Sequence, residues 1–181
     1  MNRAWIQTYT GRVHDLEHPD PAHLDLRDIA HALSQINRFT GHTKKPYSVA
    51  QHCVLVSRML SPELKLCGLM HDAAEAYIAD INSPLKRLLG ESYASIEREH
   101  EQAIATRWGL PHPWPLAVKV VDTRLMLTEV RDLLGPSPQA WQVDAEPYAP
   151  DVLTVVPWTA REAEERWLWA YDDLTGGYRS P

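Results

Sequence analysis

The stretch Leu69-Met70-His71-Asp72-Ala73-Ala74-Glu75-Ala76-Tyr77 sets an adjacent histidine and aspartate in an otherwise apolar run. Leu66, Leu69, Met70 and Ala73 surround the pair at helical spacing, which places both polar groups at the edge of a core. A carboxylate buried without a partner costs several kcal/mol, so Asp72 must be paired, hydrogen-bonded or bound to a cation. Imidazole and carboxylate together suit a divalent ion of the transition series. Two neighbouring residues cannot complete a coordination sphere, so further ligands must come from elsewhere. His52, between Val49, Cys53 and Val56, is a histidine on an apolar face and the best third candidate. Asp122, a lone acid after Leu116-Ala117-Val118-Lys119-Val120-Val121, is the best fourth. Each has a plainer reading when taken alone. His52 can be a satisfied core histidine, and Asp122 can pair with Lys119 or Arg124. Jointly, His52, His71, Asp72 and Asp122 draw on three helices, which is how bundles build metal sites.

The elements that must position them are mostly helical. Asp25 or Asp28 can cap a helix whose stripe runs through Ile29, Ala30, Leu33 and Ile36. Residues 38–46 break that stripe and read as a loop. Ser48 caps the next helix, with Gln51 three residues on completing a capping-box pattern. Ser61-Pro62 ends it, and a third helix is expected from Pro62 to Ala79. Asn82-Ser83-Pro84 reads as a turn before a short helix, Leu85 to Leu89. Longer helices are expected from Ser92 to Trp108, with Gly109 as stop signal, and from Leu116 to Leu134. A Pro-rich irregular section then reaches Pro157, and Thr159 caps a last helix, Ala160 to Asp173. The first 26 residues read as loops with a short hairpin around Thr10-Gly11. Val152 to Val156 is the one other fair strand candidate. The expected fold class is mainly α, a compact helical bundle forming one domain over residues 1–181.

Composition bounds the partners. The chain has 181 residues, 44% of them apolar and 23% charged, a profile with a real core. Eighteen basic against 24 acidic side chains give a net charge of −6, which argues against a nucleic-acid polymer or a membrane surface as partner. It leaves room for a small anionic ligand, which needs only a local basic cluster. No apolar run reaches the roughly 18 residues that span a bilayer. The first twenty residues lack an apolar h-region, so no signal peptide is read and a cytoplasmic protein is expected. Cys53 and Cys67 read as buried thiols rather than a disulfide.

His52, then His71-Asp72 nineteen residues on, then Asp122 fifty residues further, resembles the H…HD…D signature of the HD-domain metal-dependent phosphohydrolases. Tyr47-Ser48-Val49-Ala50-Gln51-His52 and Asp80-Ile81-Asn82-Ser83-Pro84-Leu85-Lys86 are similar to the branch holding bacterial 5′-deoxynucleotidases and small phage-type HD nucleotide hydrolases. The likeness covers roughly residues 25 to 135. It implies a helical HD fold with one divalent ion, manganese, cobalt, zinc or iron, held by the four residues above. Such an ion acts as a Lewis acid on a phosphoryl oxygen and lowers the pKa of coordinated water to about 7. The resemblance ties Glu75 and Asp80 to catalysis, orienting the attacking water or protonating the leaving oxygen. Plainer readings are a hydrogen bond from Glu75 to a ligand and a simple turn acid for Asp80.

Arg38 resembles the Arg of an Arg-Trp pair that meets substrate phosphate or sugar in the deoxynucleotidases. Here the Trp is replaced by Phe39, whose ring can still stack on a base or sugar. Lys86 is a second phosphate candidate. Loop-borne His42 is placed to reach a β- or γ-phosphate, with Lys44 and Lys45 as weaker candidates, and further magnesium or manganese can ride on the phosphates. His100 is a candidate for a second metal.

The leading expectation is hydrolysis of a deoxynucleotide, either a dNMP to deoxynucleoside and phosphate or a dNTP to deoxynucleoside and triphosphate. The alternatives are a cyclic-nucleotide or other phosphodiesterase HD domain, and a non-catalytic metal-binding module. A homo-oligomer, dimer or larger, follows from the resemblance. Trp167, Trp169 and Tyr171 read as core or subunit contact rather than a cage for a base.

Overall fold

In the computed structural model, which describes residues 4–177, a β-hairpin precedes a bundle of helices. Strands β1 (Trp5–Gln7) and β2 (Val13–Asp15) pair antiparallel with Ile6 opposite His14, around the turn expected at Thr10-Gly11. Gly11 sits at φ 84°, a conformation open to glycine at no steric cost. The hairpin is tied down through Asp28, which accepts from the Thr10 amide at 2.6 Å and the Thr10 hydroxyl at 3.0 Å.

Helix α1 (Leu26–Gln35) starts where Asp25 accepts from the Arg27 amide, and its stripe Leu26, Ile29, Ala30, Leu33 is buried. Helix α2 (Val49–Met59) is buried from Val49 to Ser57, as a helix surrounded by others must be. Ser48 caps it, accepting from the Gln51 amide. The expected capping box stays half-made, because the buried Gln51 side chain turns away from its own helix. Its side chain donates to the Val156 carbonyl and accepts from the Trp158 amide, both at 2.8 Å.

The single helix expected over 62–79 is instead a 3₁₀ turn (Pro62–Leu64), α3 (Lys65–Met70), a run of turns, and α4 (Glu75–Ile78). The interruption has a local cause. His71 Nδ1 donates to the Gly68 carbonyl at 2.9 Å, the acceptor that the Asp72 amide would use in a regular α-helix. The backbone tightens there into i→i−3 bonds, Ala73 to Met70, Glu75 to Asp72 and Tyr77 to Ala74.

Helix α5 (Ser83–Leu89) is capped by Asn82, and α6 (Glu91–Trp108) ends on left-handed Gly109. Helix α7 (Leu116–Leu133) is followed by irregular chain to α8 (Ala160–Thr175), which opens on a Thr159–Glu162 capping box. Val152–Val156 forms no strand. Its backbone groups bond to side chains of α7 instead, the Val155 amide to Asp132 and the Leu153 carbonyl to Arg131.

The core has two clusters. One packs α1, α2, α3 and α8 around Ile29, Leu33, Val54, Leu69 and fully buried Trp167. The other sets Tyr47, Val56 and Cys67 against Val118, Leu125 and Leu133 of α7. Trp169 is exposed, while Tyr171 stacks parallel to Trp167 at 6.1 Å. Both cysteines are buried and free. The fold class is the expected mainly helical bundle. Of the expected domain span, residues 1–3 and 178–181 lie outside the described residues. No described helix is long and apolar enough to cross a membrane.

Candidate metal centre

Helix α2 carries His52 into the interior with no exposed surface. Its Nδ1 donates to Glu129 Oε1 at 2.6 Å, so the other ring nitrogen faces away. The turn after α3 does the same for His71, whose Nδ1 is spent on Gly68. Asp72 Oδ2 lies 3.6 Å from His52 Nε2 and 3.3 Å from His71 Nε2. From α7, Asp122 brings Oδ1 to 3.3 Å from His52 Nε2 while its Oδ2 accepts from Lys119 at 3.0 Å. One ligand atom each from His52, His71 and Asp72 lies within 4.8 Å of the others.

Both histidine Nε2 atoms are buried without a hydrogen-bond partner. Buried polar atoms are rarely left so, and each needs a cause. With Nδ1 acting as the donor in each ring, the neutral imidazole leaves its Nε2 lone pair aimed at the same small space. Two imidazoles and a carboxylate converging there can hold a metal ion, and the donor set suits a transition ion.

The charges agree. Burial opposes ionisation of Asp72, Asp122 and Glu129, but His71 and His52 hold Asp72 down, His52 holds Asp122 down, and Arg38 and His52 hold Glu129 down. All three stay carboxylates. Burial and Arg38 depress the His52 imidazolium, yet Glu129 and Asp122 outweigh them and raise it to about 9, so without an ion Nε2 carries a proton facing Asp122 that a bound metal would displace.

Around this group stand other residues singled out by sequence. Glu75 is buried with Oε2 unpartnered, and burial followed by Asp72 and Asp80 pushes its carboxyl well up. Burial raises Asp80 as well. Arg38 donates through Nε to Glu129 at 3.1 Å, and its Nη1 lies 3.6 Å from Asp72 Oδ2. Phe39 lies under the Arg38 guanidinium, 5.6 Å from its ring centre, and meets Trp141 edge-on. Phe39, Thr40 and Gly41 all take positive φ, of 55°, 52° and 77°. For a β-branched threonine that is a strained conformation of the kind found at functional sites. The Thr40 hydroxyl accepts from Asn82 at 3.4 Å, so this turn touches the segment after Asp80.

Some candidates are engaged elsewhere. Lys86 is ion-paired with Glu97 of α6 rather than free for phosphate. His42 is exposed at the end of the 39–41 turn, and Lys44 and Lys45 are exposed beyond it. His100 does not join the metal group. It donates through Nδ1 to the Ile96 carbonyl and faces His14, the two Nε2 atoms 3.1 Å apart.

Sequence reasoning missed Glu129, which is fully buried and accepts from His52, Arg38 and Tyr47. The available signal was its place seven residues after Asp122, two helical turns along one face, among the apolar positions Leu125 and Leu133.

No family model matches the chain. It is 36% identical over 172 residues to the uncharacterized protein YfdR of Escherichia coli K12, covering 95% of this chain and 96% of that one. The chain belongs to the YfdR family. A second relative, the uncharacterized protein RCAP_rcc00048 of Rhodobacter capsulatus, is 33% identical over 148 residues, covering 75% of this chain and 76% of its own. Kinship with YfdR therefore spans nearly the full length of both chains rather than one shared element.

Proposed function

We propose that this YfdR-family chain is a metal-dependent phosphohydrolase of the HD-domain type acting on deoxynucleotides. The observation that carries this reading is the pair of buried, unpartnered Nε2 atoms of His52 and His71 facing Asp72, with a partly buried arginine beside them. His52, His71 and Asp72 would hold the ion, and Asp122 would complete the set. When bound, a divalent ion supplies Lewis acidity toward a phosphoryl oxygen and toward water.

The chain's own residues divide the remaining work. Arg38 has donors left beyond Glu129 and supplies positive charge to the substrate phosphate. Phe39 offers a face for a sugar or base. Glu75, kept neutral by burial and by the neighbouring carboxylates, holds a proton for the leaving oxygen. Water forms the new bond to phosphorus, the ester P–O bond breaks, the departing oxygen takes the Glu75 proton, and the proton that the water sheds restores it to Glu75. Asp80 orients the water.

The test is direct. Protein reconstituted with manganese or cobalt is incubated with dNMPs, NMPs and dNTPs, and phosphate, pyrophosphate and triphosphate are separated chromatographically. Release of phosphate from dNMPs marks a 5′-nucleotidase, and release of triphosphate from dNTPs marks a triphosphohydrolase. No release from any of them overturns the proposal.

A further inference from the structure

Glu129 is a fully buried carboxylate that hydrogen-bonds to both arms of the candidate site. Oε1 accepts from His52 Nδ1 at 2.6 Å and from the Tyr47 hydroxyl at 2.7 Å, and Oε2 accepts from Arg38 Nε at 3.1 Å. Neither Glu129 nor His52 has any exposed side-chain surface. We propose that Glu129 is a positioning residue that fixes the His52 ring and the Arg38 guanidinium in one rigid relation, so that the metal-holding nitrogen and the phosphate-binding cation are set together. The inference rests on the metal-centre reading above and adds a residue to it.

An imidazole ring that keeps its Nδ1–H on a carboxylate presents Nε2 as a lone pair, in one orientation. A guanidinium tied through Nε keeps its terminal nitrogens for other anions, and Arg38 Nη1 already lies 3.6 Å from Asp72 Oδ2. Joining the two through a single carboxylate removes the freedom of one relative to the other. That is worth most in a reaction whose substrate must meet a cation at one oxygen and an arginine at another. Tyr47 holds the third lone pair and closes off the carboxylate from water. Neutralising Glu129 with an amide would set its NH₂ against Arg38 Nε, or else against the His52 Nδ1–H and Tyr47 hydroxyl that share Oε1.

Cobalt(II) serves as the probe, read by its visible absorption, and orthophosphate binding to the cobalt-loaded protein reads the second arm. In Glu129→Gln the cobalt dissociation constant is expected to rise about 10- to 100-fold, the usual cost of losing an outer partner of a metal-ligating histidine. The absorption band should shift, and orthophosphate affinity should fall as well. Arg38→Ala should lose orthophosphate affinity while keeping the cobalt band. Tyr47→Phe removes one hydrogen bond from Glu129 without touching His52 or Arg38, and should give a smaller loss in both measurements. It carries the test if Glu129→Gln fails to fold. Wild-type cobalt affinity and spectrum retained in a folded Glu129→Gln, or in Tyr47→Phe when that is the variant available, would overturn the inference alone. No cobalt binding by the wild-type protein would remove the metal-centre reading and this inference with it.

Discussion

Asp72 faces both unpartnered imidazole nitrogens and lies within ion-pairing distance of Arg38, so it is the side chain on which the two halves of the site meet. Asp72→Ala is expected to abolish metal binding and turnover together, measured by metal analysis after dialysis and by phosphate release. Arg38→Ala should leave the bound metal in place and raise KM mainly. An unchanged KM and kcat would show that the guanidinium meets no substrate. The convergence of His52, His71 and Asp72 was legible in the sequence because histidine and acid are foreign to apolar stripes. Glu129 was not, because an acid between Thr128 and Val130 on a helix reads as a solvated face until packing shows the face to be interior. For Lys86 the sequence shows a charge suited to a phosphate but not the pairing with Glu97 of the next helix that the fold adds.

At the scale of elements, the approach of α3 to α2 sets the spacing of His71 from His52. Gly68 makes that approach possible. A Cβ there would lie 2.4 Å from Leu60 Cδ1 and 3.1 Å from the Ser57 backbone. The same residue's carbonyl orients His71. Gly68→Ala is therefore expected to cost roughly 1–3 kcal/mol of stability through overpacking and to weaken metal binding beyond what the lost stability explains. Denaturant unfolding and metal titration separate the two effects. Ser48→Ala should cost about 1 kcal/mol by uncapping the helix that carries His52. Caps and stripes made most helices readable within a residue or two. The break at 71–74 was hidden, since periodicity carries no sign that a histidine side chain will compete for the Gly68 carbonyl. Nor does β-propensity at 152–156 reveal that Arg131 and Asp132 will take the hydrogen bonds a strand needs.

For the whole molecule, the hairpin is locked to the bundle through His14, which is 3% exposed, stacked on Tyr77 and hydrogen-bonded to His100. Burial and then His100 depress its pKa from 6.5 to about 4, against weaker opposing pulls from Asp15 and Asp28. Between those values the unfolded chain binds more protons than the folded one, so stability rises with pH across that window. Acidification from 6.5 toward 4 should lower Tm progressively, and the slope should be flatter in His14→Gln; equal slopes would exclude the linkage. Nothing in a loop-like N-terminal segment announced this pairing, which joins residues 86 positions apart. The Gln51 amide that turns away from its own helix has a consequence of another kind. It grips residues 156 and 158, and α8 behind them is anchored by Trp167, whereas residues 135–146 are irregular and mostly exposed. A polypeptide split after Gln139 and produced as two pieces should reassemble from them, the C-terminal piece returning to its groove and the pair eluting as one particle.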